Sequence, residues 1–282
     1  MGYSILASLK MAGRAAIVGF CALPALADTD CPADRRPMVE DIYPTSDVLP
    51  ANLLRFYVYF SQPMQREVAL EHVTLRVRSS GEPVTGAFFR SRYGLWSADG
   101  RRLTLLLDPG RVKSGLDASE ALGRAFAPGE HYRLEVDSAF PASNGCGLAS
   151  GVSKRFAIGA ADLDKPRLDR WQLRTPRAMS RDPVSILLNG PHDHVSLAYR
   201  IRVKTGDGQP VAGSIALSAN ETEWRFAPQA PWSNGPYVVH VDPALEDLAG
   251  NRLTGLFDDR AGRSRVNESQ SDTYELEFRP AG

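Results

Sequence analysis

Hydrophobic and polar residues alternate in short segments along most of this chain. Leu54, Phe56, Val58 and Phe60 interleave with Arg55, Tyr57 and Tyr59, and the same two-residue period returns at Val73, Leu75 and Val77, at Leu103, Leu105 and Leu107, and at Tyr132, Leu134 and Val136. A period of two puts each set on one face of a strand, whereas a helix needs apolar positions three and four apart, and no stretch sustains that spacing for long. Turn-forming runs separate the segments: Ser79-Ser80-Gly81-Glu82-Pro83, Asp99-Gly100 and Asp108-Pro109-Gly110. Many short strands punctuated in this way predict an all-β chain built from sandwiches.

The second half repeats the plan of the first. Residues 126–137 match 230–242 at Tyr132 and Tyr237, at Val136 and Val241, and at Asp137 and Asp242; Asp137 to Asp242 and Gly145 to Gly250 are both 105 residues apart. Upstream, Gly81-Glu82-Pro83-Val84 pairs with Gly208-Gln209-Pro210-Val211 at a spacing of 127, and Ser61-Gln62-Pro63-Met64 pairs more loosely with Asn189-Gly190-Pro191-His192. The shrinking spacing implies an extra segment in the first half, about 111–125, expected as a surface loop or short helix. Two tandem β-sandwich domains are predicted, over 28–160 and 166–282, with the polar stretch Asp258–Asp272 as a loop before a closing strand at Tyr274, Leu276 and Phe278.

The first 27 residues read as an export signal. Lys10 and Arg14 precede the apolar run Ala15–Leu26, which closes on Ala25-Leu26-Ala27, so cleavage is expected before Asp28. No other stretch approaches ~20 consecutive apolar residues, and no transmembrane anchor is expected. The mature chain is placed in the periplasm or outside the cell. Cys21 leaves with the signal, and Phe20 before it does not suit lipidation. Cys31 and Cys146 remain, an even pair in an oxidising compartment, and are expected to form a disulfide. A thiol metal or redox site would want C-x-x-C spacing or a nearby histidine, and has neither.

Charge and motifs narrow the function. Lys+Arg and Asp+Glu both total 33, so no net field draws the chain to nucleic acid or an anionic membrane. There is no G-x-S-x-G, H-E-x-x-H, P-loop, dinucleotide fingerprint or EF-hand loop, so neither catalysis nor a cofactor is expected. Arg111 and Lys113 in the extra segment, with Arg101 and Arg102 nearby, are candidates to receive an acidic ligand, because guanidinium groups fork onto carboxylates. His192-Asp193-His194 offers two imidazoles and a carboxylate to a metal, against the plainer reading of a solvated turn after a strand. Asp242, Glu246, Asp247 and Asn251 form an oxygen-rich cluster that suits calcium or an acidic turn. Tyr57 and Tyr59, on the polar phase of their strand, suit stacking on sugars or covering the neighbouring domain.

The motifs Phe60-Ser61-Gln62-Pro63-Met64, the later Gly-x-Pro-Val turn, and Leu245-Glu246-Asp247-Leu248-Ala249-Gly250-Asn251-Arg252-Leu253 resemble bacterial immunoglobulin-like domains of the S-layer (SbsA-type) class, once per half. Asn144-Gly145-Cys146-Gly147-Leu148 departs from the second motif in the first half, and the second half departs at the first motif. Leu95 through Leu116 also resembles a segment of exported proteobacterial proteins, which implies no activity. The resemblance implies two immunoglobulin-like sandwiches in a structural or interaction protein, noncatalytic, presenting loops to an envelope protein or glycan. The runner-up is a periplasmic copper or zinc binder, since Pro44-Thr45-Ser46-Asp47 followed by a strand and Phe60-Ser61-Gln62-Pro63 resembles small exported copper-binding sandwiches.

Overall fold

The structure, a computed structural model, describes residues 31–91, 94–112, 123–258 and 274–282. The expected export signal, Lys113 with most of the extra segment, and nearly all of the polar loop 258–272 lie outside the described residues.

Eight strands build the first half: β1 (Val39–Tyr43), β2 (Val48–Leu49), β3 (Arg55–Phe60), β4 (Val73–Val77), β5 (Leu95–Trp96), β6 (Arg102–Leu106), β7 (His131–Val136) and β8 (Val152–Ile158). They form two sheets, ordered β1-β3-β6-β5 and β2-β8-β7-β4, antiparallel throughout except that β2 runs parallel to β8. Seven strands build the second half: β9 (Gln172–Arg174), β10 (Val184–Leu187), β11 (Ile201–Thr205), β12 (Gly213–Leu217), β13 (Glu223–Pro228), β14 (Tyr237–Val241) and β15 (Glu275–Phe278). Their sheets are ordered β12-β13-β10-β9 and β11-β14-β15. With β2 set aside as an extra edge strand and the other strands of each half lettered in chain order, both halves place A, B, E and D on one sheet and C, F and G on the other, the order of an immunoglobulin constant-type sandwich.

The alternation in sequence accounts for the cores. Phe56, Val58 and Phe60 of β3, Leu103 and Leu105 of β6, and Leu134 of β7 are almost completely buried, and Phe56 meets Phe156 across the sheets at 5.4 Å. In the second sandwich Trp232 lies edge-on to Tyr237 at 4.9 Å and to Phe278 at 5.5 Å, beside Trp224 and Phe226. Strand F opens alike in both: Tyr132 accepts a hydrogen bond from the Ala127 N–H at 2.9 Å, and Tyr237 from the Ser233 N–H at 3.0 Å. This is the tyrosine corner of immunoglobulin-like sandwiches. The turns after strand F also match, the Asp137 carboxylate receiving the Ala139 N–H and the Asp242 carboxylate the Ala244 N–H.

Two short α-helices interrupt the described strands: α1 (Pro109–Val112), where the extra segment begins, and α2 (His194–Arg200), between β10 and β11. The disulfide joins Cys31 to Cys146, tying the chain ahead of β1 to the turn after β7.

The two sandwiches share a boundary. Leu248, from the hairpin that follows β14, belongs to the core of the first sandwich, and its carbonyl accepts the Leu54 N–H at 2.9 Å. Gly250 in the same hairpin has φ +79°, and a Cβ there would stand 2.5 Å from Leu54 Cδ2. Gly250→Ala combines a left-handed backbone with overpacking at the boundary and should cost about 1–3 kcal/mol in urea unfolding. A loss below about 0.5 kcal/mol would show that the hairpin accommodates the methyl group.

Candidate functional site

The functional candidate is the joint between the sandwiches and the cleft that opens beside it. From the first sandwich, β3 contributes Arg55 and Tyr57 and β6 contributes Arg102; from the second come α2, β11 and the Ala244–Arg252 hairpin. The cleft they line measures ≈ 530 Å³.

Asp193 is its structural centre. As the N-cap of α2 its carboxylate receives the Ser196 N–H at 2.8 Å, satisfying a helix-end donor. The same carboxylate receives the Tyr57 hydroxyl at 2.9 Å, with Arg55 Nε at 3.8 Å. Burial lifts Asp193 above the usual carboxylate range, and Arg55, the Ser196 N–H and Tyr57 pull it back. Glu246 is shared between Arg55 Nη2 of the first sandwich and Arg252 of the second, whose Nε and Nη2 lie 2.9 and 2.8 Å from Oε1. On the other flank the buried Glu221 carboxylate receives the Thr45 N–H at 3.1 Å and the Thr45 hydroxyl at 2.8 Å, and Thr45 Oγ1 in turn accepts the Asn220 N–H. The connecting segment is clamped from both sides: Asn52 and Asp162 exchange two 2.8 Å hydrogen bonds, and Asn251 Nδ2 donates to the Asp162 and Asp164 carbonyls at 3.3 and 3.2 Å.

The His192-Asp193-His194 run is therefore not a solvated turn. His192 is buried, Nδ1 lies 2.9 Å from the Gly190 carbonyl, and the ring stands edge-on to Trp171 at 5.5 Å. A carbonyl only accepts, so Nδ1 carries the hydrogen and Nε2 is left buried without a partner. His194 instead stacks on Tyr43 at 3.5 Å. The three side chains serve separate neighbours, and among the described residues no group of three His, Cys, Asp or Glu is placed to hold a metal ion. The oxygen-rich cluster is likewise engaged internally: Asp247 receives the Ala249 and Asn251 N–H groups at 2.8 and 2.9 Å, and Asp242 pairs with Arg200.

Burial pushes the His192 imidazole down to about 4, because a proton on Nε2 would sit unpaired in the core. A depressed histidine contributes stability above its free value of 6.5 that is lost as the pH falls toward 4. Asp247, lifted by burial and by Asp162 to about 7, acts in the opposite sense, contributing below 3.8 and losing that contribution as the pH rises to 7. Comparison with His192→Gln isolates the histidine. Between pH 6.5 and 4.5 the wild type should lose about 2–3 kcal/mol more than the variant in urea unfolding. Parallel losses would mean that His192 can be protonated in place.

The other sequence candidates separate. Arg111 departs from the expectation of a ligand site: it is buried, and its guanidinium donates to the carbonyls of Gly123 (3.1 Å), Arg124 (3.2 Å) and Thr85, tying the two described ends of the extra segment to each other and to the first sandwich. Val112 and Ala125, at the ends of that segment, are part of the first core. Arg101 is exposed, bonded to the Phe60 carbonyl at 3.1 Å and 3.6 Å from Glu40. Of the three described candidates, Arg102 alone lines the cleft, with its guanidinium 5.7 Å from the centre of the Tyr57 ring. Sequence reasoning missed Arg55, Arg200, Arg202 and Arg252, which are scattered over 198 positions and converge only through the joint. Tyr57 and Tyr59 do serve the boundary, Tyr57 through Asp193 and Tyr59 beside His194 at 5.8 Å.

No family model and no curated protein sequence matches the chain. Among solved structures, the S-layer protein rSbsC(31-844) aligns at 11% identity over 73% of this chain and 24% of that one, with a TM-score of 0.29. The chain thus spans about a quarter of that protein's length. Alpha-2-macroglobulin from Escherichia coli spanning domains MG0-NIE-MG1 aligns at 12% identity over 87% of this chain and 72% of that one, TM-score 0.28. Dpr2 Ig1-Ig2 in complex with DIP-Theta Ig1-Ig3 aligns at 10% identity over 79% and 100%, TM-score 0.24. Superpositions this loose carry no functional argument, and the fold rests on strand order and the tyrosine corners.

Proposed function

We propose that this chain is a noncatalytic structural or interaction protein of the periplasm or cell exterior, a bacterial immunoglobulin-like pair of the SbsA type. It holds two sandwiches in one fixed relation and presents their loops and shared cleft to an envelope protein or glycan. The observation that carries this reading is the joint. A linker meant as a hinge is polar, loosely bonded and makes few cross-contacts. Here the connecting segment is bonded to both sandwiches through Asn52 and Asn251, while Tyr57, Asp193, Arg55 and Glu246 close the boundary. The Cys31–Cys146 disulfide supports an oxidising compartment.

The test pairs two measurements on the full, oxidised chain. Spin labels at Ser80 and Asp207, exposed turn positions in the two sandwiches, should give a single narrow distance distribution. Affinity capture from a cell-envelope extract, followed by mass spectrometry, should return a protein or glycan that Arg55→Gln captures less well. A broad distance distribution would overturn the fixed joint, and capture indifferent to Arg55 would overturn presentation by this cleft.

A further inference from the structure

The cleft beside the joint has a charge imbalance that the joint itself does not use. Five arginines line it (Arg55, Arg102, Arg200, Arg202 and Arg252) against two carboxylates, Asp193 and Glu246. Both carboxylates are committed to the joint: Asp193 to Tyr57 and the cap of α2, Glu246 to Arg55 and Arg252. Arg200 reaches outward to Asp242 at the rim. Arg102 and Arg202 are left with no carboxylate within 4.0 Å among the described residues. Arg202 Nη1 donates only to the neutral carbonyls of Ala198 and Ile201, at 3.2 and 2.8 Å. Arg102 lies over the Tyr57 ring and beside the neutral Tyr59 hydroxyl, and its Nε is buried with no hydrogen-bond partner. A half-buried guanidinium whose charge meets no carboxylate favours an anionic acceptor on its cleft side, because bonds to charged groups are worth more than bonds to neutral ones.

The cavity has the size of a small-ligand site, which runs from about 300 to about 1,000 Å³. One wall adds Tyr199, which is 63% exposed although aromatic, and so leaves a ring face available at the cleft. The two uncompensated guanidiniums come from different sandwiches, Arg102 from β6 and Arg202 from β11, and share one cleft only because the joint holds β6 and β11 together.

We propose that this cleft is a binding site for a small oxyanion ligand, whose carboxylate or phosphate oxygens are received by Arg102 and Arg202 while Tyr199 covers its non-ionic face. The inference deepens the interaction role above and rests on its fixed joint. Calorimetry with small acids reads it separately from the spin-label distances, so the two can fail independently. The same anion chemistry is available from free small acids and from the acidic sugars of a glycan, and the titration distinguishes them.

Citrate, inorganic phosphate and tri-galacturonate would each be titrated into the full, disulfide-bonded chain at about 50 mM NaCl, with neutral maltotriose as control. At least one of the anions should bind 1:1, with Kd raised about tenfold or more by Arg102→Gln and by Arg202→Gln. Arg76→Gln, which removes the same charge from β4 where it pairs with Glu135, should leave Kd unchanged. Raising NaCl to about 500 mM should weaken binding severalfold. Binding of citrate or phosphate without tri-galacturonate assigns the site to free acids, and the reverse assigns it to an acidic glycan. Arg202 is exposed, so its variant keeps the test valid if Arg102→Gln lowers the melting temperature. The proposal is overturned if none of the three anions binds at about 1 mM, if the Arg102 and Arg202 variants bind as the wild type does, or if Arg76→Gln weakens binding equally.

Discussion

Asp193→Ala should destabilise the protein by about 3–5 kcal/mol, more than an ordinary surface substitution. Three partners lose their acceptor at once. The α2 N-terminus loses its cap, which alone is worth about 1 kcal/mol. The buried Tyr57 hydroxyl is left to find another acceptor in a site that water reaches poorly. The Arg55 guanidinium keeps Glu246 but loses the second carboxylate that balanced its charge. Asp193→Asn is the informative companion, because the amide can still accept from Ser196 and Tyr57 while removing the charge. It should lose clearly less than alanine. Urea unfolding followed by circular dichroism measures both. Equal losses would show that charge balance with Arg55 dominates, and a loss below about 1 kcal/mol for alanine would show that the joint does not depend on this carboxylate.

Removing the Cys31–Cys146 bridge should have an effect of the same order. The cysteines are 115 positions apart, and closing a loop of that length is worth about 4–5 kcal/mol through the entropy of the unfolded chain. The segment ahead of β1 is otherwise held by a modest set of bonds. The Pro37 carbonyl accepts from Ala149 at 2.8 Å, the Met38 carbonyl from Ser61 at 2.9 Å, and the Arg35 carbonyl from Asn144 Nδ2 at 3.1 Å. Cys31→Ser/Cys146→Ser, which avoids a free thiol, should lower Tm by about 10 °C at a chain length where 1 kcal/mol is worth about 2–4 °C. A shift under about 2 °C would mean that the segment is held by its hydrogen bonds and that the unfolded chain is already compact.

Legibility in the sequence tracks the range of the forces involved. Strands β3, β4, β6 and β7 were legible because each buries one face, and burial of one face writes a period of two. Tyr57 broke that logic: it lies on the outward phase of β3, yet is buried because a second sandwich covers that face. Helix α2 was missed because seven residues leave no helical period. Its one local signal was Asp193 placed three residues before Ser196, the spacing of an N-cap and its N–H donor. Arg111 and Arg102 share one ground in the sequence, a guanidinium in or near the extra segment that can fork onto a carboxylate, and the structure separates them by what lies opposite. Three loop carbonyls meet Arg111, and an aromatic ring with an open cleft meets Arg102. Contacts such as Arg55 with Glu246, 191 positions apart, leave no trace in any local window.

The placement of the disulfide also decides how the protein would carry a mechanical load. Tension entering the chain ahead of Cys31 crosses at once to Cys146, so residues 32–145, including β1 through β7, lie off the loaded path. Those residues represent about 400 Å of extended chain that pulling cannot release while the bridge is intact. The first sandwich is a shackled element, able to give up only its final strand, β8, whereas the second has no such bridge among its described residues and would be the part that yields first.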